Sequence, residues 1–126
     1  MVLVVNMDCI FCKIISGEIP SYTIYEDEIV KCFLDNNPNA NGHLLIVPKK
    51  HYVNLEDIPV DTLNYINKIS KDMYDLLKEK LGFIGLRVVQ NNGIFQEVKH
   101  YHMHLVPAYK DKDLLPIEKV YEILKK

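Results

Sequence analysis

The chain has 126 residues, 48% of them hydrophobic, which is enough for one domain with its own core. The formal net charge of −2 provides no basic surface for long nucleic acid, although it permits binding of a single small nucleotide. Apolar runs in the sequence are much shorter than the ~18 residues of a membrane span, so we expect no membrane partner.

Residues 1–5 are apolar but lack the basic flank and the length of a signal sequence. We interpret them as a leading strand or a loose terminus within an N-terminal extension of residues 1–8. A cytoplasmic protein is therefore expected, in a compartment where cysteines stay reduced and disulfides are rare.

Two cysteines open the rest of the chain, at the start of a short helix predicted over residues 9–16 and ended by Gly17. The spacing of Cys9 and Cys12 is typical of half a metal site or of a redox pair. The thioredoxin-like βαβ pattern that accompanies redox pairs is missing around them. They are then either two of the four ligands of a structural zinc, completed by histidines, or two small buried hydrophobes. Cys32, in a β-rich run, is expected in the core.

Strands and turns follow this helix. Strands are predicted over residues 23–26, 29–34 and 43–47, from β-branched and aromatic residues bounded by turn residues. The dipeptide Asn41-Gly42 is a tight-turn signal in the polar loop before the third of these strands. Pro48 stops that strand, because proline has no N–H to donate to a sheet.

A long helix is predicted over residues 59–81, because apolar residues recur at every third or fourth position and Gly82 stands at its end. Asp57 is a candidate cap for this helix. Residues 84–90 have the pattern of a further strand, and residues 91–93 that of a turn.

The chain ends in an amphipathic helix that begins near Pro116 and has an apolar face formed by Ile117, Val120, Tyr121 and Leu124. Together these elements predict an α+β fold, with an antiparallel sheet of about five strands, one long helix and one or two short helices.

The remaining strand is predicted around residues 100–104, which read His-Tyr-His-Met-His. Strand side chains alternate between faces, so His100, His102 and His104 would share one face. Three imidazoles in register indicate nucleophilic catalysis, proton transfer or metal ligation. On a strand His100 and His104 would lie ~13 Å apart, too far to share one catalytic metal ion readily.

Three motifs in order resemble the histidine-triad (HIT) family of nucleotide-binding and nucleotide-hydrolysing proteins. They are residues 9–20, residues 42–51 and residues 96–106. The resemblance spans nearly the whole chain and implies a HIT-like fold, with residues 9–126 as a single histidine-triad domain. It also implies a purine nucleotide bound across the sheet and a homodimer that joins two sheets.

The resemblance implies that His102 attacks the α-phosphate of a nucleotide derivative and forms a covalent nucleotidyl-histidine. Neutral imidazole is a competent nucleophile near pH 7. The substrate would be a nucleoside phosphoramidate or a dinucleoside polyphosphate, such as an AMP derivative. A zinc-stabilised nucleotide-binding or sensor module with negligible turnover is the alternative.

The family pattern also assigns the nucleotide contacts. They are Asp35 at the ribose with Asn36 beside it, Asn91, Gln96, Glu97 and His104 around the phosphate and leaving group, and Phe11, Ile19 and Phe33 around the base. The structural alternatives are that Asp35 only caps its loop and that Phe11 and Phe33 are ordinary core residues.

Members of the family with the cysteine pair form a zinc subclass, which this chain resembles. The resemblance implies that Cys9, Cys12, His51 and His100 hold a structural Zn²⁺ in a closed tetrahedral site without an open position for catalysis. The metal would also fix the segment that carries the other triad histidines. His43 is expected to make a structural hydrogen bond.

The sequence departs from the family at the rim of the expected site. The loop of residues 93–95 is short and lacks the usual glycines, and Asn36 replaces an apolar residue. Glu97 replaces a hydroxyl residue, and its carboxylate would repel phosphate unless protonated or turned away. Residues 107–109 replace a glycine pair, which leaves dinucleoside polyphosphates open as substrates.

Overall fold

The computed structural model describes residues 9–126, so the predicted strand or loose terminus at residues 1–5 lies outside the described residues. The described part contains three α-helices and one five-stranded sheet, which confirms the α+β prediction. In chain order the elements are α1 (Ile10–Ser16), β1 (Thr23–Glu26), β2 (Val30–Leu34), β3 (Leu44–Pro48), α2 (Val60–Leu81), β4 (Gly85–Gln90), a 3-10 turn (Gly93–Phe95), β5 (Met103–Ala108) and α3 (Ile117–Lys125).

The sheet is antiparallel throughout, with the strand order β1-β2-β3-β5-β4. The last strand in the chain, β5, therefore lies between β3 and β4. His104 of β5 is opposite Leu45 on one side and Val89 on the other. This register places His104 inside the sheet, and β4 forms one of its two edges.

Both faces of the central strands are covered, so every residue of β2 and β3 is buried and neither strand shows the alternation of a half-exposed one. Leu44 and Ile46 point into the main core with α2 and α3. Leu45 and Val47 point to the opposite face, where they join a smaller cluster with α1. The cavity described below lies on this second face.

The short helix α1 is fixed at both ends. The Cys9 thiol accepts the N–H of Cys12 at 3.3 Å, so the cysteine pair itself caps the N-terminus. Gly17 ends the helix in the left-handed conformation, at φ 87°. The buried Lys31 ammonium of β2 donates to the Ile14 carbonyl at 3.1 Å, which also accepts the N–H of Gly17, so β2 is tied to the last turn of the helix.

The cap predicted for α2 is wrong. The helix begins after Pro59, which makes no side-chain cap hydrogen bond. The Asp57 carboxylate is instead occupied by the preceding loop, where it accepts the N–H groups of Val53 and Asn54 at 2.9 to 3.0 Å.

The histidine strand begins later than predicted, at Met103. The N–H of Tyr101 donates to the Tyr52 carbonyl at 2.6 Å, and the ring Nε2 of His100 lies 2.8 Å from the Pro48 carbonyl. A loop and a side chain therefore take the place of sheet pairing at this end. The alternation survives, because Tyr101 and Met103 pack into the main core.

Candidate functional site

An open cavity of about 700 Å³ lies on the sheet face opposite α2. It is bounded by α1, β2, the loop after β2, β4, the 3-10 turn and β5. Most of the predicted site residues outside the metal-ligand set line it, namely Phe11, Phe33, Asp35, Asn36, Asn91, Glu97, His102 and His104. The volume lies in the range of small-molecule sites.

Two predicted nucleotide contacts do not line this cavity. The buried Gln96 amide accepts from Gly93 and Asn54 at 3.0 and 3.1 Å, and it donates to the carbonyls of Val53 and Val98 at 2.7 and 3.3 Å. The amide oxygen and the amide nitrogen of Gln96 are thus both used to hold together the two loops that contain these partners. Ile19 is partly buried against the small cluster beside α1.

Several residues that line the cavity were not predicted from the sequence. They are Ile10, Ile14, Asn37, Asn39, Leu45, Arg87, Val89, Phe95, Val98 and Val106, together with His43, for which only a structural bond was expected. Helix periodicity was one available signal, since Ile14 follows Phe11 by three residues. Strand alternation was another, since Arg87 and Val89 share a face with Asn91.

The backbone partner of His102 determines which of its two ring nitrogens carries the proton. Its Nδ1 lies 2.7 Å from the His100 carbonyl oxygen, which can only accept, so Nδ1 carries the hydrogen. The other ring nitrogen, Nε2, therefore has the lone pair. Burial lowers the pKa of His102, opposed by the carbonyl bond and the charges of Asp35 and Glu97. The geometry favours a neutral imidazole with one nucleophilic nitrogen.

His104 is oriented by a chain of hydrogen bonds through His43. The N–H of Asn39 donates to His43 Nδ1 at 3.1 Å, so the hydrogen of a neutral His43 lies on Nε2. That nitrogen is 2.9 Å from His104 Nδ1. His104 then carries its own hydrogen on Nε2. Burial and the neighbouring histidines lower the pKa of His104 to about 4, which keeps the ring neutral.

Asp35 is placed for two roles at once. One carboxylate oxygen accepts the N–H of Asn37 at 2.9 Å, as expected of a loop cap. The other oxygen lies 3.5 Å from His43 Nε2, and the residue also lines the cavity. A partly exposed carboxylate is thus held next to the paired histidines.

A separate cluster of metal ligands lies behind the cavity. Cys9, Cys12, His51 and His100 place their four ligand atoms within 4.8 Å of one another. Both thiols are buried, and His100 is fully buried. Its Nε2 donates to the Pro48 carbonyl, so the lone pair of a neutral His100 lies on Nδ1 and faces the sulfurs. Burial lowers the pKa of His100 to about 4, which favours this ligating form.

The spacing of these ligand atoms fits a tetrahedral ion. Cys9 Sγ is 3.4 Å from His100 Nδ1, Cys12 Sγ is 3.3 Å from His51 Nδ1, and the two Nδ1 atoms are 3.0 Å apart. A tetrahedral Zn²⁺ with ordinary bond lengths separates sulfur from nitrogen by about 3.5 Å and two nitrogens by about 3.3 Å. Two sulfurs and two nitrogens are a donor set typical of zinc. The cluster could therefore hold a metal ion.

The three triad histidines have three different sets of partners. His100 faces the cysteines, His102 is bonded to a backbone carbonyl, and His104 is paired with His43. This arrangement does not match a single catalytic metal shared by all three. It separates a buried ligand cluster from an open cavity with a neutral histidine.

These features define an α+β protein with a histidine-lined cavity beside a closed cluster of metal ligands. The chain belongs to the HIT domain family, whose model matches residues 16–111. Among its relatives, an uncharacterized HIT-like protein of Methanocaldococcus jannaschii is 52% identical over 105 residues, covering 81% of this chain and 80% of the relative. The adenosine 5'-monophosphoramidase of Saccharomyces cerevisiae is 43% identical over 106 residues, covering 82% and 65% respectively.

A solved structure shows the same likeness in three dimensions. The crystal structure of a Zn-bound histidine triad family protein from Mycobacterium smegmatis matches with a TM-score of 0.87 and 34% identity, covering 94% of this chain and 91% of that one. Within residues 9–126, no helix is both long enough and apolar enough to cross a membrane.

Proposed function

We propose that the protein is a nucleotide hydrolase or nucleotidyl transferase that acts at the α-phosphate of a purine nucleotide derivative. A covalent nucleotidyl-histidine on His102 is the intermediate. The observation that carries this proposal is the 2.7 Å contact from His102 Nδ1 to the His100 carbonyl, which leaves Nε2 as a nucleophile in the cavity. The yeast relative named as an adenosine 5'-monophosphoramidase supports a phosphoramidate substrate.

The reaction has two steps. In the first, the lone pair of His102 Nε2 forms a bond to the α-phosphorus while the bond from phosphorus to the leaving group breaks. The leaving group keeps the bonding pair and takes a proton when it is an amine. In the second, water forms the new phosphorus–oxygen bond, the phosphorus–nitrogen bond breaks, and the pair returns to Nε2 as water loses its proton to solvent.

The other cavity residues bind and orient the substrate. The Nε2–H of His104 and the amide of Asn91 are donors for the phosphate oxygens, whose charge they stabilise. Asp35 accepts hydrogen bonds from the ribose hydroxyls through its partly exposed carboxylate. Phe11 and Phe33, whose ring centroids are 5.7 Å apart, form the apolar end that takes the base.

We propose that the four-residue cluster holds a structural Zn²⁺, because its donor atoms fit a closed tetrahedral site. Zinc held by these residues would cross-link segments of the chain and would take no part in acid–base chemistry. Cys9 and Cys12 belong to the start of α1, whereas His100 lies just before β5. The ligand residues therefore connect the helix of the base pocket to the segment that carries His102.

We further propose a homodimer formed along the free edge of β4. This strand has β5 on one side and no partner on the other within the described residues. Val88 is 56% exposed on it, and neighbouring Ile84 is 72% exposed. An unpaired strand edge with apolar side chains favours association with a second copy. Sedimentation of the protein beside a Val88→Glu variant tests this, with a monomeric variant expected.

Two further proposals concern the extent of the domain and its location. Residues 9–126 form one domain, since α1 at one end packs on the sheet and α3 at the other contributes Val120 and Leu124 to the main core. The location is the cytoplasm, a compartment in which cysteine thiols remain reduced and available as metal ligands.

The function is tested by product analysis. The protein is incubated with adenosine phosphoramidates and diadenosine polyphosphates, and AMP formation is measured beside the His102→Ala variant. Alkaline quenching and mass analysis should find one AMP unit attached to His102, since the phosphorus–nitrogen bond is labile in acid. Tight nucleotide binding without product above the variant's level would support the sensor alternative instead.

A further inference from the structure

The rim of the cavity has an aromatic ring and a carboxylate close together in sequence. Phe95 lines the cavity yet is 72% exposed, and Glu97 lines it with an exposed side chain. Among residues 9–126 the Glu97 carboxylate has neither a hydrogen bond nor an ion pair within 4 Å. Its negative charge nevertheless reaches His102. Both groups are therefore available to a ligand in the cavity, and the Glu97 carboxylate acts on the side that holds His102.

Nearby cations do not neutralise this rim. Lys99 forms no ion pair with Glu97 in the described part of the chain, and its ammonium donates to the Gly93 carbonyl at 2.9 Å. Arg87 lines the same cavity but lies opposite Val106, while Val89 lies opposite His104. Each such step along the sheet is about 6.7 Å, so Arg87 lies beyond His104 and away from the His102 end. The rim at Phe95 and Glu97 is left anionic and aromatic.

This rim faces the leaving group of the proposed substrate. The base occupies the apolar end formed by Phe11 and Phe33, and the α-phosphate lies at His102, as proposed above. The group on the far side of phosphorus then extends toward the exposed rim. A polyphosphate there would be repelled by Glu97, whereas a cation would pair with the carboxylate and stack on the ring.

We propose that Phe95 and Glu97 select leaving groups that carry a second, cationic group, so that the substrates are phosphoramidates of diamines or basic amino acids. The inference rests on the proposed function, because it specifies the leaving group of the same reaction. The phosphorus–nitrogen bond to one amine breaks, and that nitrogen keeps the pair and takes a proton from solvent. The second amine stays protonated at the rim throughout.

The test compares three adenosine 5'-phosphoramidates of equal chain length. Their amines are 1,4-diaminobutane, butylamine and 4-aminobutyrate, so the far end of the leaving group is a cationic ammonium, a neutral methyl group or an anionic carboxylate. We expect kcat/KM to fall in that order, by about tenfold or more from cation to anion, and the difference to shrink at high salt.

Variants assign the preference to the rim. Glu97→Gln should bring the ratio of kcat/KM for the cationic and neutral substrates close to one, and Glu97→Lys should invert it. Phe95→Leu, which keeps an apolar side chain but removes the ring, should lower the ratio by a few-fold. Glu122→Gln removes an exposed carboxylate on α3 and serves as the matched control, with the ratio unchanged.

The outcomes separate this inference from the proposed function. Equal kcat/KM for the three substrates, or a cation preference that survives Glu97→Gln, would overturn the role of the rim while leaving the nucleotide hydrolase intact. Faster hydrolysis of diadenosine tetraphosphate than of the cationic phosphoramidate would do the same. Absence of AMP and of the His102 adduct with every substrate would overturn both.

Discussion

Nε2 of His43 lies 2.9 Å from Nδ1 of His104, so two neutral imidazoles share a single hydrogen between facing nitrogens. The Asn39 N–H on the other side of His43 determines which ring donates. The cavity thereby receives a donor, the Nε2–H of His104, next to the lone pair of His102. One donor beside one nucleophile is the combination that attack on a phosphate ester or amide requires.

Replacing His43 by Ala should lower kcat by about tenfold or more, because His104 loses the partner that fixes its tautomer and a misplaced transition-state donor is costly. KM should change much less. The ¹⁵N shifts of His104 report the tautomer directly and should show a mixture in the variant. His43→Gln, which can still donate through its amide, should retain more activity; an unchanged His104 spectrum would contradict this positioning role.

The His102→Ala protein should have no measurable turnover while it still binds AMP, because the nucleophile is removed and the base and ribose contacts remain. Rates and calorimetric titration with AMP measure the two properties on the same preparation. A melting temperature close to that of the unmodified protein shows that the variant is folded. Turnover by such a folded variant would rule out the covalent mechanism.

Asp35→Ala should weaken binding of AMP by about 1.5 to 3 kcal/mol, the range for hydrogen bonds to a charged group. Binding of the 2',3'-dideoxy analogue should weaken much less, since that ligand lacks the hydroxyls. Titration of both nucleotides against both proteins measures the difference. If the two ligands lose affinity equally, Asp35 acts only as the cap of its loop, through its bond to Asn37.

One zinc per chain should copurify with the protein, and Cys9→Ser should remove it and lower the melting temperature. The variant that stays folded should keep substantial kcat, because the cluster has no open position for catalysis. Cys32→Ala is the matched control: this thiol is fully buried in the main core, so its loss should lower stability without loss of zinc. Full loss of kcat at an unchanged melting temperature would contradict a structural metal.

Acid should destabilise the metal-free protein between pH 6.5 and about 4. The pKa of His104 falls from 6.5 to about 4 in the fold, owing to burial and to His102 and His43, while Asp35 opposes the shift. The unfolded chain therefore binds more protons over this interval, and stability declines as pH falls. One such group contributes at most about 1.4 kcal/mol per pH unit. Urea unfolding of the metal-free protein and a His104→Gln variant at pH 7, 6 and 5 measures this contribution, which should be smaller in the variant.

The sequence was most informative where periodicity was long or strict. The helix over Val60–Leu81 and the alternation around the histidines followed from side-chain spacing, and the sheet from bounded apolar runs. The start of β5 could not be found in this way, because it depends on bonds from His100 and Tyr101 to residues distant in sequence. Gln96 illustrates the same limit, since its partners lie in two loops that only the fold brings together.

The set of residues that line the cavity depends on tertiary structure even more than the start of β5 does. Arg87 enters it because β5 pairs with β4, and this sheet order is not encoded in any local pattern. Phe95 enters it because a 3-10 turn at Gly93 directs the chain across the mouth. Motifs identified the chemical groups, whereas the pairing of strands decided which neighbours they have.

The helix α1 contributes to two sites through adjacent residues, since Phe11 lines the cavity while Cys12 belongs to the ligand cluster. A single short helix cannot order one of these side chains without ordering the other. Occupation of either site thus reduces the conformational freedom that remains to be lost at the second, and the two affinities become reciprocally linked. Bound nucleotide should slow the release of zinc to a chelator. Removal of the metal should, in turn, lower the affinity of the protein for nucleotide.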